Sequence, residues 1–279
     1  VNSVAYITIS TTGNAQAFGD LFLSTNSASS GLCGSVTRGL IAGGGASGNL
    51  NTIQYMTLAT TGNGADFGDL LTANLYRAGG ASNSTRGLFG AGYTTTYNST
   101  VWYVTIATTG NATSFGTLTT PRDSVTACAS PTRAVFMGGN NGGTYTNIID
   151  YVTIDTAGNA TDFGDLNQTD IRNGAAAGSS VRGIYFGGEN TSVSFNLSCY
   201  ITLATTGNAV GFGSLLGALT SMSMFSNSTR AGIAGGQTPA SSTIQYVTIA
   251  STGNTAYFGN LTSLSLFGSG MSSSHGGLA

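Results

Sequence analysis

The sequence predicts an all-β chain folded as one closed ring of six units, each with four antiparallel strands. Three observations carry that expectation. The first is a phrase that occurs six times, as YITISTTGN, YMTLATTGN, YVTIATTGN, YVTIDTAGN, YITLATTGN and YVTIASTGN, with tyrosines at Tyr6, Tyr55, Tyr103, Tyr151, Tyr200 and Tyr246, 46–49 residues apart. The second is a fixed interval inside each copy. A phenylalanine follows each tyrosine by twelve residues (Phe18, Phe67, Phe115, Phe163, Phe212, Phe258), and a leucine by fifteen (Leu21, Leu70, Leu118, Leu166, Leu215, Leu261). A constant period of this kind marks units that bury apolar faces against one another. The third is that the sequence opens on the Tyr and Phe segments of a unit, VAYITIS and AFGDL, and closes on the other half, SGMSSS and HGGLA. Sharing one unit between the two ends would close the ring and remove the free strand edges of an open array.

The third copy shows how each unit is built. WYVTIA alternates large and β-branched residues and predicts a strand. TTGN supplies Gly and Asn for a tight turn, SFGTL a second short strand, and TTPRDS a loop around Pro121. VTACAS is a strand of small residues, and PTRAVFMGG is a turn and a further strand closed by a glycine pair. Four strands in about 48 residues is the size of one β-propeller blade. From the axis outward the strands are expected as a (small residues), b (ending in Gly-Gly), c (Tyr) and d (Phe), because small side chains suit the crowded axis. The tyrosine and phenylalanine of each unit are expected between blades. The blades are expected at 24–72, 73–120, 121–167, 168–216 and 217–262, with 263–279 joined to 1–23 as the sixth. This makes the chain a single six-bladed propeller whose last blade is closed by both termini.

The glycine pair after an apolar strand, the tyrosine of the next strand and the aromatic residue of the fourth resemble kelch-type propeller repeats. All six units share these features, with Phe where kelch repeats usually carry Trp and with a longer c–d interval. The YVTIATTGN-x3-FGDL phrase is also similar to repeats in predicted virion and tail proteins of marine tailed phages. That resemblance implies a structural or host-recognition part of a virus particle, at a virion or cell surface.

Composition narrows the partners. Charged residues are 6% of the chain, lysine is absent, and eight arginines face ten acids for a net charge of −2. Such a balance lacks the clustered cations that nucleic-acid binding needs, so no nucleic acid is expected as partner. No run of 18 apolar residues occurs, and no membrane insertion is expected. Cys33, Cys128 and Cys199 are odd in number and unevenly spaced. They are read as small buried thiols rather than a disulfide framework.

Neighbouring strands run in opposite directions, so a–b and c–d loops share one end of the ring and b–c and d–a loops the other. Length variation falls in the b–c and d–a loops, where binding normally resides on a repeated frame. Candidate binding residues at that end are Tyr76, Arg77, Tyr93, Tyr97, Arg122, Asp123, Tyr145, Arg172 and Glu189. Near the seam the same loops are apolar, and Met222, Met224, Leu266 and Phe267 form a candidate docking patch. Neither catalytic nor metal-binding residues are expected, and no cofactor. The lone histidine, His275, stands at the repeat position of Arg38, Arg86, Arg133, Arg182 and Arg230, and Asp66/Asp69 and Asp162/Asp165 read as a solvated edge. The arginine ring is expected to cap carbonyls or pair with a neighbour's aspartate. The function expected is a non-enzymatic structural or recognition module binding other structural proteins of an assembly. A propeller lectin or adhesin that binds a host-surface glycan is the alternative, and a propeller lyase or hydrolase ranks last.

Overall fold

A computed structural model describes residues 2–24, 30–44, 51–72, 75–265 and 268–278. The alternating segment around each tyrosine forms strand c of its unit, and the phenylalanine segment pairs with it as strand d. The chain begins with a hairpin of β1 (Ser3–Tyr6) and β2 (Gln16–Asp20). Five four-stranded antiparallel blades follow. The first comprises β3 (Ser30–Gly34), β4 (Arg38–Gly43), β5 (Thr52–Thr57) and β6 (Ala65–Asp69). The second comprises β7 (Gly79–Ser82), β8 (Arg86–Gly90), β9 (Thr100–Thr105) and β10 (Thr113–Thr117). The third has β11 (Thr126–Ala129), β12 (Arg133–Met137), β15 (Ile148–Thr153) and β16 (Thr161–Asp165), with a small hairpin of β13 (Asn140–Asn141) and β14 (Thr144–Tyr145) in its b–c loop. The fourth has β17 (Ala175–Gly178), β18 (Arg182–Phe186), β19 (Leu197–Thr202) and β20 (Val210–Ser214). The fifth has β21 (Ser223–Ser226), β22 (Arg230–Ala234), β23 (Ser241–Thr248) and β24 (Ala256–Ser265).

Strands run a-b-c-d through each sheet, and β3, β7, β11, β17 and β21 lie side by side around the axis. Small residues are required there. A Cβ on Gly80 of β7 would lie 2.3 Å from the carbonyl oxygen of Leu32 on β3.

The fixed Tyr-to-Phe interval has a specific cause. In all six c–d hairpins the register slips by one residue at the phenylalanine: Val4 pairs with Gly19 and Ala5 with Ala17, passing over Phe18, and the other five repeat this bulge. The bulge turns the ring inward. Phe115 is only 4% exposed, whereas Tyr103, expected to be buried with it, is half-buried. Each repeat tyrosine meets its phenylalanine edge-on, with centroids 5.7–6.1 Å apart.

The outer rim is continuous through six sectors. The side-chain oxygen of each TTGN, TAGN or STGN asparagine accepts a backbone N–H from strand d of the preceding sector: Asn63 from Asp20, Asn111 from Asp69, Asn159 from Thr117, Asn208 from Asp165, Asn254 from Ser214 and Asn14 from Asn260, each at 3.0–3.1 Å. The hairpin β1–β2 therefore closes the ring between the fifth and first blades.

Among the described residues the sixth sector holds two paired strands, β1 and β2, in place of the four expected from the sequence. Residues 268–272 run beside β21, where a Cβ on Gly270 would meet the Met224 backbone and where Ser272 Oγ accepts the Ser226 N–H at 2.9 Å. This is the lane of an inner strand, and among the described residues no b strand follows it. After a turn at Ser273–Ser274, Gly276–Leu278 form a single 3-10 turn at the axis, against β7 and β11. The register of this lane also differs from the one expected. Met271 sits over Gly39 as Cys33 sits over Gly87 and Cys128 over Gly183. Each of those cysteines precedes its blade's arginine by five residues, so Gly276 and not His275 falls at the arginine position. A Gly-Gly pair brings neither the cation nor strand propensity. The equivalence of His275 with the five arginines is thereby corrected.

Candidate recognition surface and axial channel

The end carrying the a–b and c–d loops is committed to holding the ring together. Each b strand opens on an arginine whose guanidinium lies over the tyrosine of its own blade, 4.6–4.9 Å from the ring centroid. Its Nη1 donates to carbonyls at the end of strand c of the next sector. Arg38 reaches Ile106 and Ala107, Arg86 reaches Ile154, Arg133 reaches Leu203 and Ala204, Arg182 reaches Ile249 and Ala250, and Arg230 reaches Ile9, at 2.8–3.1 Å. The planar guanidinium suits this double task of stacking and forked donation. The arginine ring is an inter-blade staple, with the cations spent on carbonyls of the neighbouring sector.

The opposite end carries a belt of polar and aromatic side chains across the second, third and fourth blades. Tyr93 and Tyr97 form an edge-on pair at 5.1 Å, and Tyr97 Oη accepts from Asn140 Nδ2 at 3.2 Å. Asn140 Nδ2 also donates to Asp123 Oδ1 at 3.2 Å, and Arg77 Nη1 donates to Asp123 Oδ2 at 3.3 Å. Backbone bridges join Tyr76 to Tyr93 and Asp123 to Asn140. In the next gap Arg172 lies over Tyr145 at 4.3 Å and pairs with Glu189, Nε to Oε1 at 3.2 Å, with its N–H directed off the line to that oxygen. Asn173 Nδ2 donates to the same Glu189 oxygen at 2.9 Å. Of the predicted binding residues, the structure thus gathers Tyr76, Arg77, Tyr93 and Tyr97 in one cluster, and Tyr145, Arg172 and Glu189 in a second.

Arg122 and Asp123 are corrected from surface residues to buried ones. Arg122 is 0% exposed; its Nη1 pairs with Asp150 Oδ2 at 2.8 Å and its Nε donates to the Gly138 carbonyl at 2.9 Å. Asp150, also 0% exposed, accepts Thr119 Oγ1 at 2.7 Å. Asp150 continues a repeated device: the residue before the strand c tyrosine holds the d–a loop of the preceding sector, as Gln54 does with Leu23 and Gln245 with Leu216. Asp123 is buried beneath Arg77, Ser124 and Asn140.

The docking patch is corrected at Met222. Met222 is buried in the core of the fourth and fifth blades, and Met224 lines the axial channel. Leu266 and Phe267 lie outside the described residues. Among the described residues near the seam, Phe22, Leu216 and Leu264 are exposed apolar side chains.

Sequence reasoning missed the axial channel. Its upper part, about 100 Å³, lies among the starts of the innermost strands beside Arg77, Ser124, Asn173 and Ser221. These four residues occupy one repeat position and all have left-handed backbones, with φ of 54–56°. No shared residue type signals that conformation. The lower part, about 50 Å³, is lined by Cys33 and Cys128 and meets His275. All three cysteines are free and buried, as expected. Burial pushes the Cys128 and Cys199 thiols up to about 12 and raises Cys33 too, so they stay protonated at neutral pH. His275 Nε2 bonds the Gly34 carbonyl at 2.8 Å and its Nδ1 accepts the Gly277 N–H at 3.1 Å, which fits the neutral ring. Burial lowers its pKa, partly offset by the Gly34 bond.

Among the described residues, no group of three or more His, Cys, Asp and Glu side chains is placed to hold a metal ion. No helix among them is long and apolar enough to cross a membrane. No protein-family model matches the sequence, and no curated protein matches it.

Proposed function

We propose that the protein is a non-enzymatic recognition module of a larger assembly, an extracellular particle such as a virion, and that its b–c/d–a end makes the contact. The observation that supports this reading is the division of labour between the two ends of the ring. One end uses its repeated Arg and Asn side chains on inter-blade bonds. The other presents Tyr93, Tyr97, Arg77, Tyr145 and Arg172 in two polar-aromatic clusters that differ from blade to blade. Aromatic and Arg side chains on a rigid frame are the usual anchors of protein interfaces. A glycan-binding module is the second reading, favoured by the Tyr93–Tyr97 pair, whose rings are half-buried beside an amide.

Lysine is absent, so the test uses a photoreactive phenylalanine analogue rather than an amine cross-linker. Placed at position 97, it should form adducts with another protein of the producing particle; placed at position 111, on the opposite end, it should not. Equal adducts from both positions would overturn the assignment. Retention on a glycan array that is lost in Tyr97→Ala would transfer the support to the glycan reading.

A further inference from the structure

We propose that the turn Asn141-Gly142 is a site of self-modification, where the asparagine side chain closes on the glycine nitrogen and is converted in water to isoaspartate and aspartate. The inference does not rest on the function proposed above.

An asparagine followed by glycine carries both partners of this reaction. The glycine nitrogen, deprotonated, attacks the asparagine Cγ and closes a five-membered ring. The new C–N bond forms as the Cγ–Nδ2 bond breaks, and Nδ2 takes up protons and leaves as ammonia. Glycine has no Cβ to hinder the approach. Water then opens the ring at one of its two carbonyls. Opening at Cγ gives aspartate, and opening at the backbone carbonyl gives isoaspartate, with the chain rerouted through the former side chain. Either product gains one carboxylate, and no oxidant or reductant is consumed.

The chain contains three Asn-Gly pairs, at 63–64, 141–142 and 173–174. The fold holds two of them. Asn63 Oδ1 accepts the Asp20 N–H at 3.0 Å and Gly64 N–H donates to the Asp20 carbonyl at 2.7 Å, so both reacting groups are tied into the rim. Asn173 Nδ2 donates to Glu189 at 2.9 Å, and its carbonyl accepts the Ser221 N–H at 2.8 Å. Gly174 lies so close under Tyr185 that a Cβ there would overlap the ring.

Asn141 differs on each count. It stands at the tip of the β13–β14 hairpin, exposed together with Gly142, Gly143 and Thr144. A Cβ on Gly142 or Gly143 would meet nothing within 4 Å. Among the described residues, no hydrogen bond engages the Gly142 N–H or the Asn141 side chain. The hairpin has only two paired positions, Asn140 with Tyr145 and Asn141 with Thr144. A local opening therefore frees the rotation that ring closure needs.

The position gives the change a consequence. Asn140 bonds Tyr97 and Asp123, and Tyr145 opposite it lies under Arg172. Isoaspartate at 141 would add one backbone atom and one negative charge between these two clusters.

The test uses the full chain, incubated at mildly alkaline pH either folded or unfolded in guanidinium. Cleavage after arginine separates the three sites into peptides 39–77, 134–172 and 173–182. Mass spectrometry with electron-transfer fragmentation then follows amide loss and distinguishes isoaspartate from aspartate. Unfolded, the three sites should convert at similar rates, because each is the same Asn-Gly pair. Folded, Asn141 should keep close to its unfolded rate, while Asn63 and Asn173 should slow about tenfold or more, since each must first break its hydrogen bonds. Asn141→Gln should remove the product from peptide 134–172 and leave the other two rates unchanged. Absence of isoaspartate at 141 in the folded chain would overturn the proposal. So would conversion of Asn63 or Asn173 as fast as Asn141 in the folded chain, or equal slowing of all three.

Discussion

The side-chain oxygen of Asn14 accepts the backbone N–H of Asn260 at 3.0 Å, joining the first hairpin of the chain to its fifth blade. Around this bond Gly13 N–H donates to the Phe258 carbonyl and Ala15 N–H to the Asn260 carbonyl. The same clasp recurs between Asn111 and Asp69, with Gly110 donating to Phe67 and Ala112 to Asp69. The seam between the ends of the chain therefore uses the same local chemistry as gaps inside it. Each sector's turn inserts into the bulged strand d of the sector before it, which requires the glycine after every repeat phenylalanine.

That geometry separates two glycines only 42 residues apart. A Cβ on Gly116 would lie 2.1 Å from the Gly158 carbonyl oxygen, whereas one on Gly158 meets nothing within 4 Å. Gly116→Ala should lower unfolding free energy by about 2–3 kcal/mol, as overpacking against rigid backbone does. Gly158→Ala should change it by about 0.5 kcal/mol or less. Denaturant titrations of both variants check this; a tolerated Gly116→Ala would mean that the clasp is looser than described.

The Arg122–Asp150 pair is fully buried, so breaking it should cost more than an exposed pair would. Arg122→Ala leaves the Asp150 carboxylate without its cation and should destabilise by about 3–5 kcal/mol. The double variant Arg122→Met, Asp150→Leu should recover much of that loss. Chemical denaturation of the single and double variants measures it. Equal losses in both would show that packing of the arginine stem, and not its charge, carries the effect.

His275 couples the axial turn to pH. Its folded-state pKa is lowered, chiefly by burial, so its contribution is present above the unfolded value of about 6.5 and is lost as pH falls through the folded value. Protonating Nδ1 would also set two donors against each other at Gly277. Thermal midpoints measured from about pH 8 to about pH 5 should fall more steeply for the parent chain than for His275→Gln. Parallel curves would remove His275 from the account.

The legible parts of the structure were those written by local chemistry repeated in register. The bulged hairpins follow from the Tyr–Phe interval and the clasp from Gly-Asn, since both act within or beside one repeat. Arg122 was misread because its burial depends on Asp150, 28 residues later, at a place held by Gln54 or Trp102 in other blades. The left-handed position of Arg77, Ser124, Asn173 and Ser221 was hidden because unlike residues share it. The register of the last inner lane differs from the expected one by a single residue. HGGLA resembles strand b, but Met271 fixes the inner lane one step away.

The account's central claim is that the hairpin β1–β2 is the closing sector of the ring, and deleting residues 1–21 tests it most directly. The deletion removes the acceptors of Gly62, Gly64 and Arg230, and the apolar contacts of Ile7, Ile9 and Phe18 with the neighbouring blades. The truncated chain should melt about 10 °C or more below the parent, or aggregate through its newly exposed flanks, when followed by calorimetry and light scattering. A truncated chain that stays monomeric and melts at the parent temperature would contradict the account.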